Sequence, residues 1–192
     1  MSVRMIGLAG PSGSGKSTIA RQAQQLWPGL VIIKLDKFYK DADKFPRAGR
    51  WRNWELPEDI LWDELHCVLT GLKAGREVEV PMYSKPEGRR VGMRVAEPVD
   101  LILVEGFLLF QRQRIRDLFE LKIYLRVSPE VQLQRRRQRE PEFDPRYFEH
   151  VMKPAFARYG AGIDRFADIV IDADQDVAAV WHEFQRALDV AE

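Results

Sequence analysis

The sequence predicts an α/β fold, a parallel β-sheet with helices on both faces, on three observations. Short, nearly continuous apolar runs recur along the chain, as in strands covered on both sides. Between them lie stretches with apolar residues at helical spacing. The first run passes through a glycine-rich loop into a helical pattern and then a second run, the length of a βαβ unit. The 192 residues fit one domain with a proper hydrophobic core, and no internal repeat or low-complexity linker divides them.

Residues 3–9 form the first run. Gly10, Pro11, Ser12, Gly13, Ser14, Gly15, Lys16, Ser17 and Thr18 follow, reading G-x-x-x-x-G-K-S. Between a strand and a helix this pattern predicts a phosphate-binding loop. Glycines let successive N–H groups turn inward on an anion, and the helix opening near Lys16 adds its unpaired N–H groups and positive dipole end. Lys16 is expected to reach the outer phosphates of a nucleoside triphosphate, and the Ser17 hydroxyl to ligate the accompanying magnesium. The helix carries Ile19, Ala20, Ala23, Leu26 and Trp27 on one face and stops at Pro28-Gly29. Residues 30–35 make the second strand, ending at Asp36.

From Asp36 to Leu56 the periodicity is lost, and a loop this long inside a domain signals function. Pro57 opens the next helix, with Glu58 and Asp59 favourable to its dipole and Leu61, Leu65, Leu69 and Leu72 as its buried stripe. The one cysteine, Cys67, excludes an internal disulfide and a cysteine-based zinc site; assigned to the apolar side of this helix, it reads as a small buried hydrophobe. Residues 78–82 and 91–95 form short strands about a polar turn, and residues 101–104 a third buried strand closed by Glu105-Gly106. Residues 121–127 are the fourth. Ser128 caps a helix that opens at Pro129 and runs into Arg135-Arg136-Arg137-Gln138-Arg139. Another starts at Asp144-Pro145, with Phe148, Val151, Met152 and Phe156 on one side and a kink at Pro154. Residues 167–171 are the last strand, and Val177, Val180, Trp181, Phe184 and Leu188 mark a closing amphipathic helix.

In an open α/β sheet, ligands lie beyond the carboxyl ends of the strands, which gives weight to Asp36 and Glu105. Glu105 follows Leu-Ile-Leu-Val and is expected to hold magnesium, through water, beside Ser17; the alternative is a carboxylate that caps the following turn. Asp36 would face the γ-phosphate from the acceptor side, where a carboxylate can accept the proton of an attacking hydroxyl. It reads equally as a turn residue starting Lys37-Phe38-Tyr39. The arginine run reads as a solvated helical face, a nucleic-acid patch or a clamp on a transferring phosphoryl group. A net charge of +1 and the lack of interleaved aromatics argue against nucleic acid, and the clamp is favoured, with Arg135 and Arg139 sharing a face. Tyr39, Trp51, Trp54 and Tyr83 lie in irregular or turn segments, where aromatics either stack on the ring of an acceptor or pad the loop. His66, His150 and His182 are far apart and suggest no metal site. No apolar stretch approaches a membrane span, and Arg4 before a short apolar run is unlike a signal peptide, so a cytoplasmic enzyme without membrane partners is expected. Lys16-Ser17-Thr18 stand where a dinucleotide fingerprint needs its last glycine, and no N-K-x-D guanine signature occurs, which favours ATP over GTP.

Together these residues resemble the uridine kinase and nicotinamide riboside kinase branch of the P-loop kinases, over nearly the whole chain. The carriers are Gly10 to Thr18, Leu35-Asp36-Lys37-Phe38-Tyr39, Asn53-Trp54-Glu55-Leu56-Pro57-Glu58, Leu103-Val104-Glu105-Gly106-Phe107-Leu108-Leu109-Phe110, Arg135-Arg136-Arg137, and Tyr147 through Pro154 to Tyr159. The E-G-F-L-L-F string, the arginine run and the last segment look most like nicotinamide riboside kinases, and Pro81-Met82-Tyr83 more like uridine kinases. The resemblance implies a P-loop kinase domain spanning residues 1–192, with a five-stranded parallel sheet, a short arginine-rich lid near 128–145 and an acceptor loop near 36–57. It implies transfer of the γ-phosphate of ATP, with Mg²⁺, to the primary 5′ hydroxyl of a riboside. Nicotinamide riboside is preferred; uridine or cytidine is the alternative.

With the resemblance, Asp36 becomes the base, joined by Lys16, Arg135 and Arg139. Gly10, Ser12, Gly13, Ser14, Gly15, Lys16, Ser17, Thr18 and Arg136 are assigned to ATP, and Ser17 and Glu105 to the metal. Asp36, Tyr39, Trp54, Glu55 and Tyr83 are assigned to the riboside, with Trp54 stacking on its ring. Three departures stand out. Glu55 replaces an aspartate that binds ribose hydroxyls. The segment from Gln138 to Asp144 is shorter and lacks a second stacking tyrosine, with Phe143 as its candidate substitute. Ser84 stands where uridine kinases usually have aspartate. A kinase of another small alcohol, such as pantothenate or a sugar, is the next reading. A nucleotide-dependent switch is a third, against which Asp36 and the loop after it argue.

Overall fold

The apolar run that opens the chain becomes the middle strand of a five-stranded parallel sheet. The computed structural model describes residues 3–189. In chain order the elements are β1 (Arg4–Ala9), α1 (Lys16–Leu26), β2 (Val31–Lys34), β3 (Arg47–Ala48), β4 (Trp51–Arg52), α2 (Trp62–Lys73), β5 (Val78–Ser84), β6 (Arg89–Ala96) and β7 (Leu101–Gly106). They continue with α3 (Gln113–Arg116), β8 (Leu121–Arg126), α4 (Pro129–Arg139), α5 (Pro145–Tyr147), α6 (Lys153–Ala155), β9 (Ile169–Asp172) and α7 (Val177–Asp189). The sheet runs β2-β7-β1-β8-β9, every pair parallel.

Alternation along the strands divides the core in two. Ile6 and Leu8 of β1, with Leu103, Ile123 and Leu125, pack under Ile19, Ala20 and Ala23 of α1 and Val180, Phe184 and Leu188 of α7. Met5, Ala9, Ile33, Ile102 and Val104 face the other way, onto Leu65, Leu69 and Leu72 of α2 and onto Phe110 and Phe119. Gly7 lies on that second face, and it suits glycine because a Cβ there would be 2.7 Å from Phe110 and 2.8 Å from Phe119.

Several expectations need correction. Cys67 is exposed, not buried: two residues on from Leu65 it points about 200° around the helix, away from the leucine stripe. Leu26 and Val177, at the last position of α1 and the first of α7, overhang the packed stretch, and Phe156 is also exposed. The kink expected at Pro154 takes the form of two π-helical turns, Phe148–Met152 and Phe156–Gly160, flanking α6. Such wide turns accommodate a residue that donates no hydrogen bond. The patternless loop folds into 3₁₀ turns and the minimal β3–β4 hairpin, while β5 and β6 form a separate antiparallel ribbon longer than expected.

Candidate active site

The sheet register brings the chemistry together. Ala9 pairs with Gly106 and Lys34 with Glu105, so the phosphate loop, Lys34 and Glu105 leave the same edge of the sheet. Glu105 is thus the penultimate residue of β7, not a cap beyond it, and Asp36 belongs to a 3₁₀ turn, Leu35–Lys37, directly after β2. Beyond these ends opens a cavity of about 580 Å³. Ser12, Gly13, Gly15, Lys16, Ser17 and Thr18 line one side; Asp36, Tyr39, Trp54 and Glu55 line another. Lys34, Lys85, Glu105, Arg136, Arg139, Glu140 and Tyr147 also contribute.

On the loop side, Gly13 and Gly15 take φ of 86° and 97°, the left-handed region that glycine enters without penalty. Gly15 precedes α1, and nothing lies within 4 Å of where its Cβ would be, so the helix N-terminus is open to an anion. The Lys16 ammonium donates to the Gly10 and Pro11 carbonyls at 2.8 and 2.9 Å, leaving one of its three protons for a phosphate. Burial lowers its pKa to about 8, against the pull of Glu105 and Asp36. Ser17 Oγ lies 2.9 and 3.0 Å from the two carboxylate oxygens of Glu105, and Lys34 Nζ is 3.3 Å from one of them. A hydroxyl and a buried carboxylate converging beside a phosphate cradle are the donors magnesium uses when water and phosphate oxygens complete its octahedron. Among the described residues, no group of three or more His, Cys, Asp or Glu could hold a metal unaided.

The wall opposite the loop is built around two carboxylates, Asp36 and Glu55. Asp36 Oδ1 is buried without a protein partner, while Oδ2 pairs with Lys85 Nζ at 3.1 Å. Tyr39 donates its hydroxyl to the Trp54 carbonyl at 2.8 Å and meets the Trp54 ring edge-on at 5.6 Å. The Trp54 N–H donates to the Tyr147 hydroxyl at 3.1 Å, which in turn donates to Glu55 Oε1 at 3.2 Å. Burial raises the Glu55 carboxyl, opposed by Arg136 and by the Tyr147 hydrogen bond. Burial and the Glu55 charge push the Tyr147 phenol well above its ordinary value, so it stays a donor.

The structure separates some residues expected to act together. Arg136 lines the cavity, donates to Ser12 Oγ at 2.8 Å and lies 4.7 Å over the ring of Phe143. Arg139 lines it too, paired with Glu140 at 3.0 Å. Arg135 does not: its guanidinium turns to the Gly13 and Gln175 carbonyls at 3.4 and 3.1 Å. The inward side of α4 is therefore Arg136 and Arg139, at i and i+3, joined by Glu140 just beyond its last turn. Tyr83 is also outside the cavity; buried, it donates to the Lys40 carbonyl at 3.0 Å and braces Tyr39 and Trp54. Gly10 and Ser14 shape the loop from within, the Ser14 hydroxyl being buried with no protein partner. Phe143 packs against Tyr147 beneath Arg136, and Trp51 lies beside His150. Lys34, Lys85, Glu140 and Tyr147 were missed as site residues. Tyr147 stood in the string that carried the family resemblance; the two lysines had no local signal.

Comparison with known proteins adds the lineage. A model described as Phosphoribulokinase / Uridine kinase family matches residues 5–179. The uridine kinase of Halobacterium salinarum is 30% identical over 185 residues, covering 91% of this chain and 82% of that protein. The uridine kinase of Schizosaccharomyces pombe is 31% identical over 188 residues; the match takes in 91% of this chain and only 41% of that longer protein. A solved structure described as a possible uridine kinase from Bacillus stearothermophilus superposes with a TM-score of 0.65 at 21% identity, 90% of each chain being covered, which speaks to the fold alone.

Proposed function

The chain belongs to the phosphoribulokinase / uridine kinase family, and on that premise we propose that it transfers the γ-phosphate of ATP to the 5′ hydroxyl of a pyrimidine nucleoside, uridine or cytidine. The observation that carries the reading is that one cavity holds both halves of such a reaction: Lys16 and Ser17 for the donor phosphates, Asp36 and Glu55 for an alcohol and its neighbouring hydroxyls. Asp36 accepts the proton of the 5′ hydroxyl as its oxygen attacks phosphorus, and Lys16, Arg136 and Arg139 meet the charge on the transferring group. Glu55, oriented by Tyr147, accepts hydrogen bonds from the ribose hydroxyls, and Trp54 with Tyr39 forms the wall for the ring. Ser17 and Glu105 would hold a magnesium ion, which would supply positive charge against the donor phosphates.

In this reading the acceptor loop is residues 36–57, and the arginine helix within residues 128–145 acts as the lid. The pyrimidine nucleoside takes precedence over nicotinamide riboside because the similar proteins reported above are uridine kinases. A panel of uridine, cytidine, nicotinamide riboside, pantothenate and simple sugars with ATP, read as ADP release, tests the proposal. Uridine or cytidine should give the highest kcat/KM. If no nucleoside raises ADP formation above the rate in water, the proposal is wrong.

A further inference from the structure

Lys85 is held where it meets whatever hydroxyl approaches Asp36. The backbone of its turn is pinned to the acceptor loop: the Ala42 N–H donates to the Gly88 carbonyl at 2.6 Å, and Lys37 Nζ to the Tyr83 carbonyl at 3.0 Å. Gly88 takes φ of 66°, and a Cβ on it would come within 2.9 Å of Ala42, so the close approach depends on glycine. From this anchored turn the Lys85 side chain reaches into the cavity and pairs with Asp36 Oδ2 at 3.1 Å. Because Oδ1 is buried, Oδ2 is the oxygen an acceptor meets, and it meets the ammonium with it. The field of Lys85 extends across the site, favouring the ionised form of Glu55 and disfavouring that of Lys16.

We propose that Lys85 is a specificity-determining residue that selects the acceptor by charge, admitting a neutral or anionic ring and turning away a cationic one. This rests on the nucleoside kinase reading. Uracil and cytosine are neutral and present carbonyl oxygens that an ammonium can donate to, whereas the pyridinium ring of nicotinamide riboside is a fixed cation. A ring joined to the ribose whose 5′ oxygen lies at Asp36 comes within several ångströms of the Lys85 ammonium. Two like charges about 6 Å apart in a partly wetted site repel, and with the Asp36 carboxylate offsetting part of the Lys85 charge the expected cost is roughly tenfold in affinity. An ordinary surface ion pair with Asp36 would produce no such discrimination, since its loss would affect all acceptors alike.

The test compares kcat/KM for uridine and nicotinamide riboside in the wild type and in Lys85→Met, Lys85→Glu and Lys85→Arg, with melting curves to establish that each variant folds. Lys85 is more than half exposed, so these changes are tolerable on packing grounds. The nicotinamide riboside to uridine ratio should rise about tenfold over the wild type in Lys85→Met and further in Lys85→Glu, that rise should shrink in high salt, and the ratio should stay at the wild-type value in Lys85→Arg. If all variants lower both acceptors by the same factor, Lys85 is only a structural ion pair and the proposal fails. If the wild type phosphorylates neither nucleoside, the nucleoside kinase reading itself fails, a result distinct from an unchanged ratio.

Discussion

Lys16 keeps its charge at a cost, since burial brings its pKa down to about 8. A phosphate favours the ammonium over the amine, so ATP affinity should be full below that value and decline as pH rises through it. The expected fall is about tenfold per unit at higher pH, read as KM for ATP between pH 6.5 and 9.5. A flat profile would contradict the assignment of Lys16 to the phosphates. Asp36→Asn keeps the shape of the side chain and removes the base; kcat should drop about 10² to 10⁴-fold with ATP affinity nearly unchanged. Tyr147→Phe removes the hydrogen bond from Tyr147 that aims Glu55, and with it the acceptor of the Trp54 N–H. A bond of about 1 to 1.5 kcal/mol corresponds to roughly a tenfold rise in nucleoside KM, and kcat should hold because no reacting atom is touched.

Among elements, the junction of β7 with the turn after β2 links stability to chemistry. A Cβ on Gly106 would be 2.5 Å from Leu35 Cβ, and Leu35 precedes Asp36. Gly106→Ala should therefore cost about 1 to 3 kcal/mol and displace the base, lowering the melting temperature and kcat together. The parallel strands and α1 were legible in the sequence because a short apolar run bounded by turns, or a helical stripe, states its partner's side locally. Glu105 and Asp36 could be read onto the cavity that they line because strand ends in such sheets face one edge. The direction of Arg135 could not, since the register of α4 on the loop is set by Gln132 packing against Gly13 and by Gln175 from the segment before α7. Tyr83 likewise read as a cavity residue because a turn aromatic carries no mark of whether it faces ligand or neighbour. The exposure of Cys67 follows from spacing, since two residues on from Leu65 it falls off the leucine stripe.

Across the whole molecule, the sheet order β2-β7-β1-β8-β9 places the glycine-rich loop after β1 and the Asp36 turn after β2, with only β7 and its Glu105 between them. The hairpin β5–β6 and the helix α4 approach this edge from outside the sheet, and each contributes cavity residues from far along the chain. Contacts of that kind, Lys85 with Asp36 or Tyr147 with Glu55, exist only in the assembled fold and leave no periodic trace in sequence. Among the described residues no helix is long and apolar enough to cross a membrane. Coupled transfer between the two halves of one cavity is checked by incubating the protein with ATP, Mg²⁺ and uridine and following the products by phosphorus NMR. Uridine 5′-monophosphate and ADP should appear one for one, and both should form at least about a hundredfold more slowly with Asp36→Asn. ADP formed at the same rate with and without nucleoside, and no phosphorylated nucleoside, would contradict it.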